Sequence, residues 1–216
     1  MKSKLVMIGV LTGSLSLGGL VGCASTDNQN TTRGAAIGAV AGAIAGKTTA
    51  NRSNKRMVIG AAVGALAGAA VGSYMDNQEK ALREELSGTG VKIHREGDNL
   101  RLEIPSQLTF EINRSDIRPQ LYPVLNDIAR VLANYDKTML IISGHTDDTG
   151  PYDFNMRLSL QRADSVSSYL AAQGVLPVRM ETQGFGPTYP MVPNTSEANR
   201  ALNRRVEIHI EPVTES

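Results

Sequence analysis

The sequence predicts an α+β fold: a two-layer α/β sandwich of βαβαβ order over residues 91–216, preceded by a glycine-zipper helical hairpin and an N-terminal signal peptide. Three observations predict it. Apolar and polar residues alternate over 100–104 and 206–210, the period of a half-buried strand. Apolar residues return at helical spacing after Pro119, and a second helix-length segment runs over 152–172. Glycine recurs every fourth residue at Gly34, Gly38, Gly42 and Gly46, and again at Gly60, Gly64, Gly68 and Gly72.

Within the sandwich, Val91 and Ile93 precede a Gly97-Asp98-Asn99 turn, and Leu100, Leu102 and Ile104 follow it, which predicts a hairpin or an edge pair. Leu121, Val124, Leu125, Ile128 and Leu132 share one helix face, with Ser115, Asp116 and Pro119 as start signals. The unbroken apolar run 139–142 belongs in the sheet interior, covered on both faces. A helix over 152–172 stops at Gln173-Gly174. A strand over 180–185, a short helix near 196–203 and a last strand carrying Val206, Ile208 and Ile210 complete the order.

On a helix a four-residue step drifts by about 40°, so each glycine set makes a nearly straight stripe where a second helix can approach closely. Gly-rich helices are unfavourable in water by about 1 kcal/mol per Gly relative to Ala, which points to an apolar environment. Residues 34–75 therefore read as a hairpin with the polar, basic stretch 47–56 at its turn. The second arm, 57–75, would reach about 28 Å as one helix. Membrane insertion, self-association on a membrane surface and a flexible linker stay open as readings of it. Residues 76–90 are charged, end in Ser-Gly-Thr-Gly and read as a linker, helical in its first half.

At the N-terminus, Lys2 and Lys4 precede an apolar stretch too short and Gly-rich for a membrane span, ending in Leu20-Val21-Gly22-Cys23. This resembles a bacterial lipoprotein signal: residues 1–22 are removed, Cys23 is lipidated, and 23–33 becomes the lipidated linker. A plain secretory signal leaving a free thiol is the competing reading, but an unpaired cysteine is a liability in an oxidising compartment and acylation removes it. Ala24 after the cysteine, by resemblance to enterobacterial lipoproteins, implies sorting to the cell outer membrane with the C-terminal domain in the periplasm.

Composition narrows the function classes. Losing Lys2 and Lys4 with the signal reduces 22 basic side chains to 20, against 21 acidic ones, so no field of one sign is available for nucleic acid. No Trp, three Phe and one Cys exclude a disulfide scaffold and leave stability to aliphatic packing.

The chemistry-bearing segment is Gly144-His145-Thr146-Asp147-Asp148-Thr149-Gly150, followed by Asn155, Leu158, Ser159, Arg162 and Ala163, then Asn203-Arg204-Arg205-Val206. Asp147 sits in a loop after a buried strand, where α/β sheets place ligands. Asn155, Leu158 and Arg162 share one helix face. A carboxylate, an amide, an apolar contact and a guanidinium suit a zwitterion: Asp147 accepts from an ammonium and Arg162 forks onto a carboxylate. An internal Asp147–Arg162 salt bridge is the alternative. His145, two residues before Asp147 in strand-like sequence, would point the same way. With only His94 and His209 as further imidazoles, no ligand-spaced metal set arises, and no nucleophile motif, Walker loop or dinucleotide fingerprint appears. No enzymatic activity, no metal and no cofactor are expected.

These motifs resemble the OmpA-like C-terminal domain shared by OmpA, the peptidoglycan-associated lipoprotein and MotB, over about 100–211. The resemblance implies an outer-membrane lipoprotein that binds peptidoglycan non-covalently through the diaminopimelate of its stem peptide. It implies ligand contacts from Asp147 and Arg162 as the central pair, supported by Asn155, Leu158, Arg204 and Thr146. Phe110 and Asn113 fall on the family's loop after its first strand, although Thr-Phe-Glu-Ile-Asn departs from the usual Phe-Asp pattern. Of Arg204 and Arg205, strand alternation puts one on each face, and Arg204 is the one expected to face the ligand. The partners expected are peptidoglycan, outer-membrane lipid through acylated Cys23, and a second copy or an envelope protein through the zipper. The alternative function is a membrane-assembly or envelope-integrity scaffold in which the zipper hairpin is the active part.

Overall fold

A computed structural model of the chain describes residues 57–214. After a helical stretch at 57–63 come α1 (Gly68–Glu85), β1 (Lys92–Glu96), β2 (Asn99–Pro105), the single turn α2 (Ser106–Thr109) and α3 (Tyr122–Asn134). Next are β3 (Thr138–His145), α4 (Tyr152–Ala172), β4 (Met180–Gly186), α5 (Glu197–Asn203) and β5 (Arg205–Pro212). The five strands form one sheet in the order β1-β2-β5-β3-β4. Only β3 and β4 pair parallel, with α4 as their crossover, while the other neighbours are antiparallel.

The expected elements form where the patterns place them. Gly97, at φ 62°, makes the β1–β2 turn. Leu121, Leu125, Ile128 and Leu132 are the buried stripe entering and running along α3. Every residue of β3 is buried, as its continuous apolar run requires. Ser196 caps α5, its side chain accepting from the Asn199 N–H at 3.2 Å. Leu100, Leu102 and Ile104 of β2, Leu140 and Ile142 of β3 and Val206, Ile208 and Ile210 of β5 turn to one face and meet α1, α3 and α4 in the main core. Each such aliphatic side chain contributes about 1.5–3 kcal/mol by leaving water. Arg179, fully buried before β4, closes the α3–β3 connection by donating to the carbonyls of Leu132, Tyr135 and Thr138 at 2.7–2.9 Å.

Two expectations about the N-terminal half need correction. The stripe Gly60–Gly64–Gly68–Gly72 does not run along one helix. Gly64 takes φ 81°, Leu66 N–H donates to the Val213 carbonyl at 2.7 Å, and the helix restarts only at Gly68. The 28 Å arm over 57–75 is thus broken, and among the described residues no helix is long and apolar enough to cross a membrane. Residues 76–90, expected as a linker, are instead part of the domain: α1 continues to Glu85 and buries Val71, Met75, Gln78 and Leu82, with Leu86 behind them. That spacing of three and four is a helix stripe, cut in two by the boundary drawn at 75. The charges that suggested a spacer include Asp76 and Glu79, which flank this stripe and are bridged by Arg95 of β1 at 2.9 and 3.1 Å. The signal peptide, Cys23 and the first glycine set lie outside the described residues.

Two outcomes follow from the packing. A Cβ on Gly144 of β3 would sit 1.9 Å from the Ser159 carbonyl oxygen of α4, so Gly144→Ala should cost about 1–3 kcal/mol, seen as a lower urea midpoint. Gln78 is fully buried with neither its amide nitrogen nor its oxygen bonded, so Gln78→Met should raise stability by about 1 kcal/mol or more. A lowered thermal midpoint for Gln78→Met would contradict that account.

Candidate functional site

The site begins where β3 ends. Thr146 N–H donates to the Gly186 carbonyl at 2.9 Å, holding the chain beside the end of β4, and Thr146 Oγ1 donates to the Asp147 carbonyl at 2.8 Å. Asp147 Oδ1 then accepts from Thr149 N–H at 2.9 Å, an Asx turn that fixes the carboxylate. Gly150, at φ 89°, redirects the chain into Pro151 and the first turn of α4. From α4, Asn155 Nδ2 reaches back to the Thr149 carbonyl at 2.9 Å. One helix face thus carries Asn155, Leu158 and Arg162 toward the loop while Val166 and Leu170, further along it, enter the core.

Arg162 is 4% exposed and its bonding is unlike that expected. Nε donates to the Arg114 carbonyl at 2.9 Å and Nη2 to the Glu111 carbonyl at 3.3 Å, while the guanidinium lies 5.0 Å from the centre of the Phe110 ring. The edge that would fork onto a ligand carboxylate therefore holds the 110–114 loop, and Nη1 is the nitrogen that makes no hydrogen bond among the described residues. Asn113 in that loop has φ 57°, a left-handed conformation that Asn tolerates better than most residues. Burial above all, with Arg204 adding repulsion and Asp147 opposing it, lowers the Arg162 pKa to about 10, so it stays charged at neutral pH.

Asp147 and Arg162 form no ion pair with each other. Arg204, at the end of α5, takes the place expected for that bridge: Nη1 meets Asp147 Oδ2 and Nη2 meets Glu197 Oε1, both at 2.6 Å. Burial pushes the Asp147 carboxyl up, but hydrogen bonds from Arg204 and Thr149 outweigh it and hold the pKa below the ordinary carboxylate value. Arg205 points to the other side of the sheet and pairs with Glu207 at 2.7 Å, as strand alternation anticipates.

All eight expected ligand residues, Phe110, Asn113, Thr146, Asp147, Asn155, Leu158, Arg162 and Arg204, line one cavity of about 700 Å³. Its wall also includes Leu108, Ile112, Arg118 and Glu197. Sequence reasoning missed Glu197, although it precedes Arg204 by seven residues, two helical turns along one face of α5. His145 does not join Asp147 in the cavity: β3 ends at His145, whose ring stacks on Phe185 at 5.4 Å. Beyond that point the Asx turn, not strand alternation, directs Asp147. Among the described residues no group of three or more His, Cys, Asp or Glu side chains is arranged to hold a metal ion.

The Asp147–Arg204 pair has a pH signature. With the folded pKa depressed, its contribution to stability is present above the unfolded value and is lost as pH falls through the folded one. A carbon-detected NMR titration of the Asp147 carboxyl should give a midpoint below about 3.9, rising in Arg204→Ala. A midpoint at or above that value in the wild type would contradict the pairing.

Comparison with known proteins agrees with this architecture. Residues 109–204 match the OmpA family and residues 1–76 match the YMGG-like Gly-zipper. The chain is 41% identical to "Probable lipoprotein YiaD" of Escherichia coli strain K12, over 99% of this chain and 100% of that one. It is 33% identical to the peptidoglycan-associated lipoprotein of Pseudomonas aeruginosa, over 51% of this chain and 66% of the relative. Among solved structures, the cell wall anchor of the T6SS from Pseudomonas aeruginosa superposes with a TM-score of 0.57 at 27% identity, covering 62% of this chain and 96% of that one. The chain belongs to the OmpA family, with a YMGG-like Gly-zipper segment ahead of its OmpA module.

Proposed function

We propose that this chain is a non-catalytic tether: a lipoprotein acylated at Cys23 in the outer membrane, whose periplasmic module binds peptidoglycan through the diaminopimelate of the stem peptide. The observation that carries the reading is an open cavity in which Asp147 and Arg162 both face the ligand space without neutralising each other. Within a stem peptide one end of diaminopimelate is taken up in amide bonds, which leaves an ammonium and a carboxylate at the other end of a short apolar chain. An ammonium fits the rim of Asp147 and Glu197, a carboxylate fits the remaining Nη1 of Arg162, and the methylenes fit Leu158. The family match and the peptidoglycan-associated lipoprotein among the relatives support the same ligand class.

A scaffold role for the glycine-rich segment is a second reading. It is favoured by Gly68 and Gly72, where among the described residues an added Cβ would meet no atom within 4 Å, which leaves room for a close approach to this face of α1.

Purified sacculi should retain the wild-type protein, and Asp147→Ala or Arg162→Ala should weaken retention about tenfold or more, since each removes a hydrogen-bonded charge from the pocket. Retention of both folded variants at the wild-type level would overturn the site.

A further inference from the structure

The cavity wall holds a hydroxyl to which none of the eight expected ligand contacts gives a role. Ser106, the first residue of α2, lines the cavity and is 3% exposed, and its Oγ makes no hydrogen bond among the described residues. A buried hydroxyl without a partner is unfavourable, and the large majority of buried side-chain polar atoms have one. Thr109, on the same turn, satisfies its own hydroxyl by donating to the Pro105 carbonyl at 3.1 Å. Ser106 takes no such bond.

Its backbone, in contrast, is tied at both ends to the binding site. Ser106 N–H donates to the Arg204 carbonyl at 2.9 Å, and its carbonyl accepts from Phe110 N–H at 2.8 Å. The Phe110 ring in turn lies 5.0 Å from the Arg162 guanidinium. Ser106 is therefore anchored between two residues that line the same cavity. The groups left open around it are donors. Arg162 spends Nε and Nη2 on loop carbonyls and keeps Nη1. Arg118, held to the neighbouring Gln107 carbonyl through Nη1 at 3.0 Å, keeps Nε. A hydroxyl set among guanidinium donors is suited to donate to an anion, and a carboxylate has lone pairs enough to accept from several donors at once.

Building on the peptidoglycan-binding reading, we propose that Ser106 is a further ligand contact, whose hydroxyl donates to the free carboxylate of the diaminopimelate side arm alongside Arg162 Nη1. The contact makes the module selective for a free carboxylate over an amidated one. A carboxamide in the same place loses the charge and turns its own N–H groups toward a wall of donors, an arrangement that works against binding.

Isothermal titration calorimetry of the full-length protein in detergent tests this, with two synthetic stem tetrapeptides that differ only in a free or an amidated side-arm carboxylate. Ser106→Ala should weaken binding of the free-carboxylate peptide about tenfold and that of the carboxamide less than about threefold, because a hydrogen bond to a charged group is the stronger of the two. Its thermal midpoint should stay at or above the wild-type value, since the substitution removes an unbonded polar atom. Unchanged affinity in Ser106→Ala, where Asp147→Ala loses binding, would overturn the role of Ser106 alone. An equal loss with both peptides would give the hydroxyl to another part of the ligand and overturn the carboxylate contact. A loss accompanied by a lowered thermal midpoint would make Ser106 structural and overturn it too. Absence of saturable binding by the wild type would instead overturn the peptidoglycan reading, and this contact with it.

Discussion

The site depends on α4 lying directly on the parallel pair β3–β4, backbone against backbone. At Gly144 and Gly184 an added Cβ would fall within 2.7 Å of Ser159 or Leu160 atoms, closer than side chains allow. The absence of side chains there brings Asn155 and Arg162 beside the end of β3, and the bond from Gly186 N–H to Ser159 Oγ at 2.9 Å locks the approach. One helix face therefore runs from aliphatic core at Val166 and Leu170 to polar cavity at Asn155 without a break.

Within that frame the charged groups are arranged by third parties. Arg204 holds Asp147 in place and is itself steadied by Glu197, so the carboxylate is ionised and oriented. Arg162 is buried, a costly state for a cation, and the Arg114 and Glu111 carbonyls with the Phe110 ring face offset that cost. The same contacts pin the 110–114 loop, so a side chain that lines the cavity also shapes its wall.

The two sheet faces follow different logic. The helix side is aliphatic and closes the main core with α1, which docks through Met75, Leu82 and Leu86 and through the Tyr74 hydroxyl accepting from Lys137 N–H at 3.0 Å. The outer side is a lattice of carboxylates, guanidinium groups and imidazoles. Burial and the nearby Arg205 keep His145 neutral, while Glu207, despite its burial, is held ionised by His209 and Arg205.

Much of this was legible in residue order. Alternation at Leu100, Leu102 and Ile104, the helical stripe after Pro119, the unbroken run from Met139 and the stop at Gly174 are local patterns, because each reports which face of a single element leaves water. The eight cavity residues were legible as well, through motif spacing and family resemblance. The register of α1 was not: its stripe of Val71, Met75, Gln78 and Leu82 straddles a glycine repeat and a charged run, each of which suggests another state. Nor was the exchange of partners in the site, where Asp147 pairs with Arg204, 57 residues away, and Arg162 with carbonyls 48 and 51 residues before it. Local order along the chain specifies the elements and the chemical types brought to the cavity, since both depend on neighbours a few residues apart. Which donor meets which acceptor depends on distances between segments far apart in sequence, and those exist only once the sheet and α4 have packed.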